Sequence, residues 1–247
     1  MAAAALSDGS AAKPGAGPRR PRLLLLRHAQ GMLGTADYDR LSALGLDQAD
    51  RLGQRVADEL GEDWLAWSGA LRRQRQTVNA LCAPGTVFID PCLNEYRVDR
   101  MVAHALNQSD ALGLFRPPDQ ALMDPAGFLD AFLNWFPEVL ERWQRAELKD
   151  PCNGSWQAFQ QRVQQPAAGW RARLERGQSL AVVTSAGVIS TLTASLCGYD
   201  LGWQRRLNVS LYNASVTELE LDERGGWRLG RVNCVAHLEG KRLRTLA

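Results

Sequence analysis

The chain has 247 residues, 45% of them hydrophobic, which is enough to bury a substantial core in one large domain. Its 29 lysines and arginines nearly balance its 27 aspartates and glutamates, so the charge favours neither a nucleic-acid nor a membrane-surface partner. Its five cysteines include no CxxC pair, which argues against a disulfide framework and a zinc site. The apolar runs are far shorter than the roughly 18 residues that span a bilayer. Together these features predict a cytoplasmic protein.

Residues 1–21 are rich in Ala, Gly, Ser and Pro, show no hydrophobic periodicity, and are predicted to form a disordered tail. The four leucines from Leu23 to Leu26 follow its basic end, but they are fewer than the roughly 7–15 apolar residues of a signal peptide. We therefore expect the remaining residues, 22–247, to form one domain in the cytoplasm.

Strand-like and helix-like segments then alternate, which is typical of an α/β sheet with crossover helices. After a first strand over 23–26, apolar residues spaced three and four apart predict a helix over 46–60. Ser42 is its predicted N-cap, and Gly61 is predicted to end it. The elements predicted next are a helix over 71–81 and a short strand over 87–89.

Residues 100–155 interrupt this alternation, because several prolines are mixed there with phenylalanines and tryptophans. We interpret the segment as a helical lid inserted over the functional site, whose aromatic residues favour an apolar group on the ligand. The alternative is an ordinary helical excursion that covers the core.

The remaining residues continue the alternation. A long helix is predicted over 156–174, kinked at Pro166. The elements predicted after it are a strand over 180–184, a helix over 188–196 closed by Gly198, and strands around 216–221 and 227–232. The Gly225-Gly226 pair between the last two strands predicts a hairpin.

Arg27 and His28 directly follow the first predicted strand. In open α/β sheets, ligands bind at the carboxyl ends of the strands, so both side chains are expected at a ligand crevice. One histidine nitrogen can attack phosphorus while a carbonyl holds the other, and an arginine can bind the phosphoryl oxygens. This pair therefore indicates phosphate chemistry.

Several short motifs follow in a characteristic order. They are LLLLRHAQ at 23–30, DRLSALG at 39–45, LRRQRQT at 71–77, LNE at 93–95, LAVVTSAGVI at 180–189 and NASVT at 213–217. Together they resemble the histidine phosphatase superfamily, the phosphoglycerate-mutase-like RHG proteins, from about residue 22 onward. The resemblance implies a three-layer α/β sandwich with a mostly parallel central sheet flanked by helices. It also implies a phosphohistidine intermediate formed without a metal or another cofactor.

The resemblance assigns roles to individual residues. The nucleophile falls on His28, and the two arginines that bind phosphate fall on Arg27 and Arg73. The general acid falls on Glu95, which can protonate a leaving oxygen near neutral pH only if its surroundings raise its pKa. The alternative is that Glu95 is a surface or salt-bridged residue. Gln30 is a candidate contact to the phosphoryl group or substrate, or else a loop residue that satisfies its own backbone.

Two departures from the family pattern stand out. The family's second histidine, which donates a hydrogen bond to the phosphoryl oxygens, aligns with Ser185. The Ser185 hydroxyl and the backbone N–H groups of the helix that starts near Ala186 are candidate substitutes that bind the anion. The family's Ser-Pro pair before the second arginine is Gly69-Ala70 here, so the start of that helix is expected to lie differently.

These assignments predict a metal-independent phosphatase that hydrolyses phosphomonoesters through a phosphohistidine on His28. We expect it to be slow or altered, because Ser185 replaces the second histidine. A mutase is a less favoured activity. The alternative function is an inactive or weakly active pseudoenzyme that binds a phosphorylated ligand. In either case the expected partner is a small phosphorylated molecule or a phosphopeptide, with no nucleic acid and no membrane.

Overall fold

The structure is a computed structural model that describes residues 20–32, 37, 39–118 and 125–246, without the side chains of 125–128, 130 and 131. Of the tail predicted over 1–21, all but residues 20 and 21 lie outside the described residues. Among the helices of these described ranges, none is long and apolar enough to cross a membrane.

A six-stranded sheet forms the centre of the described chain. Its strands are β1 (Leu23–Arg27), β2 (Trp64–Ser68), β3 (Val87–Ile89), β4 (Ser179–Thr184), β5 (Val216–Leu221) and β6 (Trp227–Cys234). Their order across the sheet is β3-β2-β4-β1-β5-β6. The β2–β3, β2–β4 and β1–β4 pairs are parallel, whereas β1–β5 and β5–β6 are antiparallel. The predicted mostly parallel sheet and the hairpin at its end are therefore confirmed.

Helices connect the strands. They are α1 (Ala43–Leu60), α2 (Arg72–Ala80), α3 (Val98–Asn107), α4 (Ser109–Leu112), α5 (Pro125–Gln144), α6 (Trp156–Gln164), α7 (Ala167–Glu175), α8 (Ala186–Cys197) and α9 (Leu201–Ser210). Ser42 caps α1 as predicted, since its hydroxyl accepts a hydrogen bond from the N–H of Gly45 at 2.9 Å. Gly61 follows the helix with a φ of 73°, a backbone conformation that glycine adopts readily.

The single kinked helix predicted over 156–174 is wrong, because the chain forms two helices there. The first ends at Gln164 and the second begins at Ala167, with Pro166 between them as the N-cap residue. Proline has no N–H to donate to the preceding turn, and its ring crowds the carbonyl four residues earlier. Pro166 therefore interrupts the helix rather than bending it.

The two central strands explain the uninterrupted apolar runs in the sequence. Successive side chains of a strand point to opposite faces, so a strand covered by helices on both sides is apolar throughout. In β1, Leu23 and Leu25 belong to one buried cluster and Leu24 and Leu26 to the other. Helices α1 and α2 cover one face of the sheet, and the helices from α5 to α9 cover the opposite face with the first cluster. The result is the predicted three-layer α/β sandwich.

The segment over 100–155 contains parts of α3, α4 and α5. Phe136, Leu140 and Trp143 of α5 are almost completely buried in the core cluster on its face of the sheet. Val102 of α3 and Phe132 of α5 line the cavity described below, as does Phe136. The segment therefore covers the core and also borders the cavity.

Candidate active site

The parallel pairing of β1 and β4 brings the two central motifs together. Arg27, the last residue of β1, is in register with Thr184, the last residue of β4. The N–H of His28 donates to the carbonyl of Thr184 at 2.8 Å, so His28 and Ser185 leave the sheet side by side. Both side chains therefore start from the same edge of the sheet, at the carboxyl ends of its central strands.

A cavity of about 740 Å³ opens at this edge. Six of the candidate residues line it, and these are Arg27, His28, Arg73, Glu95, Ser185 and Ala186. Gln30 is not among the described residues of its lining. The Gln30 side chain instead accepts a hydrogen bond from the Ser42 hydroxyl at 2.8 Å, and its backbone N–H donates to Gln48.

His28 is almost completely buried, and its contacts determine its tautomer. Its Nδ1 lies 2.8 Å from the carbonyl oxygen of Ala29, and only a protonated nitrogen can donate to a carbonyl. Nε2 therefore carries the lone pair, and the Nε–H of Arg73 donates to it at 3.1 Å. Burial lowers the pKa of His28 well below its usual 6.5, and the charges of Arg73 and Arg27 lower it further. The imidazole is neutral at neutral pH.

Two buried arginines flank this imidazole. Arg73, on the first turn of α2, donates from Nη1 to Oδ1 of Asp39 at 2.7 Å, which holds the guanidinium in the cavity wall. Arg27 donates from Nη1 to the carbonyl of Leu211. Guanidinium groups present several N–H donors in one plane, which suits the oxygens of a phosphoryl group.

Glu95 reaches the cavity from the segment that follows β3. Its Oε2 accepts from the N–H of Gly187 at 2.7 Å, and its Oε1 accepts from the N–H of Tyr96 at 3.1 Å. Burial raises the pKa of Glu95 above its usual 4.5, against the opposing effects of the Gly187 hydrogen bond and the Arg73 charge. The shift favours the protonated form of this carboxyl group.

Ser185 is fully buried at the start of α8. Its hydroxyl does not cap the helix; instead Oγ accepts a hydrogen bond from Nε2 of Gln74 at 2.9 Å. Close packing also explains the glycine two residues later, because a Cβ at Gly187 would lie 2.4 Å from both Glu95 Oε1 and the ring of Tyr96. The start of α8 is therefore in tight contact with the segment that carries Glu95.

Sequence reasoning missed several residues of the cavity wall. Asp39 lies within a quoted motif but had no role, and Tyr96 directly follows Glu95. Asn208 lies on α9, a helix that was not predicted, and its Nδ2 donates to the Tyr96 hydroxyl at 2.7 Å. Burial raises the pKa of Tyr96 well above its usual 10, so this phenol is neutral.

The cavity lining also contains many apolar side chains. They include Leu71, Val98, Val102, Leu129, Phe132 and Phe136, and the charged residues Arg97 and Asp99 line the cavity beside Val98. The lining therefore combines the polar groups at the end of the sheet with aliphatic and aromatic side chains. Such an arrangement is typical of sites for a ligand with a charged group attached to an apolar one.

The two other histidines lie outside the described lining of the cavity. His104 belongs to a separate group with Asp150 and Cys152, whose possible ligand atoms all lie within 4.8 Å of one another. The cysteine pattern gave no indication of this group. Asp150 Oδ1 already accepts hydrogen bonds from the N–H groups of Cys152 and Asn153, which is a structural use of the carboxylate. His237 is half-buried, and burial lowers its pKa to about 4.

Comparisons with known proteins identify a family for the chain. The family model for the histidine phosphatase superfamily (branch 1) matches residues 23–111 and 129–235. No curated protein sequence matches the chain significantly.

Solved structures share the fold. An α-ribazole phosphatase from Shigella flexneri is 24% identical, with 86% of this chain and 96% of that chain covered and a TM-score of 0.53. A phosphoserine phosphatase variant from Entamoeba histolytica, in complex with phosphoserine, is 15% identical, with 88% and 99% covered and a TM-score of 0.60. A mycobacterial glucosyl-3-phosphoglycerate phosphatase is 22% identical, with 87% and 100% covered and a TM-score of 0.53.

Proposed function

Because the chain belongs to the histidine phosphatase superfamily (branch 1), we propose that it hydrolyses phosphomonoesters through a phosphohistidine on His28. The observation that carries this proposal is the tautomer of His28. Its Nδ1 proton is used by the carbonyl of Ala29, so Nε2 keeps its lone pair, which accepts from Arg73 until a phosphoryl group enters the cavity.

In the first step, Nε2 of His28 attacks phosphorus and the bond from phosphorus to the leaving oxygen breaks. Arg27 and Arg73 bind the phosphoryl oxygens and stabilise the charge that develops on them. The Nε–H of Arg73, which donates to the imidazole in the free protein, turns to a phosphoryl oxygen, since Nε2 loses its lone pair on attack. Protonated Glu95 gives its proton to the leaving oxygen, so the alcohol departs neutral.

In the second step, water attacks the phosphorus of the phosphohistidine. The Glu95 carboxylate, left by the first step, takes a proton from this water. The bond from phosphorus to Nε2 breaks, phosphate is released, and the imidazole regains its lone pair. Glu95 is then protonated again and the site returns to its starting state.

The substrate we propose is a small phosphomonoester with an apolar or aromatic group. The apolar residues of the cavity lining, which include Val102 and Phe132, support this choice. The solved relatives named for α-ribazole phosphate and phosphoserine act on small phosphorylated molecules, which favours such a molecule over a phosphopeptide. We also propose a reducing compartment such as the cytoplasm, since all five cysteines are free thiols.

A binding module without turnover is the second candidate, and the serine at position 185 is the observation that favours it. Losing one well-placed oxyanion donor costs about 10²–10³ in rate. The two candidates differ in the covalent intermediate. We expect brief incubation with phenyl phosphate, followed by alkaline quenching, to give a phosphorylated peptide containing His28 in mass spectrometry. Phosphate affinity without any such peptide would favour the binding module instead.

A further inference from the structure

The side chain of Gln74 joins three parts of the site. Gln74 lies on the buried face of α2 next to Arg73 and is fully shielded from solvent. Its Nε2 donates to the Ser185 hydroxyl at 2.9 Å and to the carbonyl of Leu93 at 3.2 Å. Its Oε1 accepts from the N–H of Leu71 at 3.2 Å. All the polar atoms of this amide are therefore used.

These contacts determine which way the amide points. A backbone N–H can only donate and a carbonyl can only accept, so Oε1 must face Leu71 and the NH₂ group must face Leu93. The second proton of that NH₂ group then points at Ser185 Oγ. Ser185 is the acceptor of this bond, and its own proton must go elsewhere. Among the described residues that proton has no acceptor, and the Ser185 side chain lines the cavity.

Gln74 also connects the two departures from the family pattern. A Cβ at Gly69 would lie 2.1 Å from Gln74 Oε1, a distance that no side chain tolerates. A serine in place of Gly69 is therefore incompatible with Gln74 in its present position. The glycine at 69 leaves room for the amide, and the amide in turn donates to the serine at 185.

The same amide holds the segment that carries the acid. The carbonyl of Leu93, two residues before Glu95, accepts from Gln74 and also from the Thr184 hydroxyl at 2.6 Å. Both lone pairs of this carbonyl are thereby used. The shorter bond from Thr184, the last residue of β4, remains when the Gln74 amide is removed, so the segment with Glu95 stays tied to the end of β4 without Gln74.

We propose that Gln74 is a positioning residue that orients the Ser185 hydroxyl, so that its O–H donates to the phosphoryl group in place of the missing histidine. The proposal rests on the proposed function, because it assigns a phosphoryl group to the cavity. Gln74 itself does not touch the substrate. It acts by donating a hydrogen bond to the Ser185 oxygen, which leaves the Ser185 O–H to donate to the anion.

A double-mutant cycle of Gln74→Met and Ser185→Ala, measured with para-nitrophenyl phosphate, tests the proposal. Ser185→Ala removes the donor, and we expect kcat to fall by about 10²-fold. Gln74→Met keeps a similar volume without the hydrogen bonds, and we expect kcat to fall by about tenfold in the wild-type background. In the Ser185→Ala background, the same Gln74 change should leave kcat nearly unaltered. Equal losses in both backgrounds would overturn the proposal, since Gln74 would then act independently of Ser185.

Gln204→Met is the matched control, because Gln204 is another fully buried glutamine, bonded to Ser190 and Gln144 and outside the described cavity lining. We expect it to lower the melting temperature as Gln74→Met does, with kcat unchanged. If kcat falls in both variants in proportion to the fall in melting temperature, the effect of Gln74→Met is general destabilisation. That result would count against a role of Gln74 in positioning Ser185.

Titration with inorganic phosphate separates this proposal from the proposed function, because it needs no turnover. We expect both Gln74→Met and Ser185→Ala to weaken phosphate binding, with no further weakening in the double variant. If turnover survives His28→Ala, the proposed function fails, and the titration still decides on Gln74. A wild-type protein that does not bind phosphate, or additive losses of affinity, would overturn the role of Gln74.

Discussion

Nδ1 of His28 lies 2.8 Å from the carbonyl oxygen of Ala29, the next residue along the chain. This contact places the imidazole proton on the nitrogen that faces the backbone and the lone pair on the nitrogen that faces the cavity. The imidazole is therefore oriented by the main chain itself. Burial lowers the pKa of the ring, and the charges of Arg73 and Arg27 lower it further, so the ring is neutral.

The pH dependence of turnover should reflect two displaced pKa values. His28 must be unprotonated to attack, and its pKa is lowered well below 6.5, so the acid limb of kcat/KM should lie well below pH 6.5. Glu95 must be protonated to act as an acid. Its pKa is raised above the usual 4.5 of a glutamate, so the alkaline limb should lie above pH 4.5. We expect a bell-shaped profile with phenyl phosphate, whose leaving oxygen needs a proton. An acid limb at or above pH 6.5 would contradict the neutral imidazole.

Restoring the histidine at position 185 should require room made at Gln74. The Gln74 amide lies 2.9 Å from Ser185 Oγ, so an imidazole ring in that place meets a buried side chain. Overpacking a buried site costs about 1–3 kcal/mol, and we expect Ser185→His alone to lower the melting temperature. The double variant Ser185→His with Gln74→Ala should regain stability and exceed the kcat of Ser185→His. Equal stability of the two variants would show that Gln74 does not limit the space.

Gly69 is expected to be intolerant of substitution for the same reason. Its added Cβ would meet the Gln74 amide, so Gly69→Ala should lower the free energy of unfolding by about 1–3 kcal/mol. Gly85→Ala is a matched control, since no heavy atom lies within 4 Å of the corresponding Cβ. The Gln74→Ala change should relieve part of the loss at Gly69, while the contact with the carbonyl of Leu93 at 2.9 Å remains. Urea denaturation of these variants measures the effect, and equal losses at Gly69 and Gly85 would refute it.

The buried His28 and the half-buried His237 should make the fold less stable in mild acid. Burial lowers the pKa of His237 to about 4 and that of His28 well below 6.5. Since the unfolded chain has histidine pKa values near 6.5, it binds more protons than the folded protein between these pKa values. The contribution of these two histidines to the free energy of unfolding is therefore fully present above about pH 6.5 and is lost as the pH drops toward 4.

Urea unfolding of the wild type and of His237→Leu over this pH range checks the effect. The variant should show a shallower decline, because only His28 then contributes among the buried histidines. Identical slopes in the two proteins would contradict the assigned role of His237.

The sequence predicts the parts of the fold where one physical signal dominates. The run of leucines in β1 is typical of a strand buried on both faces, and the spacing of apolar residues locates α1. The strand Trp64–Ser68 was missed, because it is short, uninterrupted and apolar, a pattern that periodicity does not distinguish from helix. The helix Leu201–Ser210 was missed, because its buried face includes the polar residues Gln204 and Asn208.

The candidate site shows the same division. The motifs shared with the family pointed to four residues that line one cavity. These are Arg27, His28, Arg73 and Glu95. Gln74 was missed because it lies within a run of arginines and glutamines, where residue type does not distinguish a buried amide from a solvated one. Its spacing to Thr77 and Val78 on the same helix was a usable signal, since residues three and four apart share a face.

Hydrolysis of para-nitrophenyl phosphate by the wild type and by His28→Ala, from acid to neutral pH, tests the account most directly. His104→Ala is the control, because His104 lies outside the described lining of the cavity. We expect turnover in the wild type and in His104→Ala, and none above background in His28→Ala with its fold intact by circular dichroism. Turnover retained by purified His28→Ala would contradict the account.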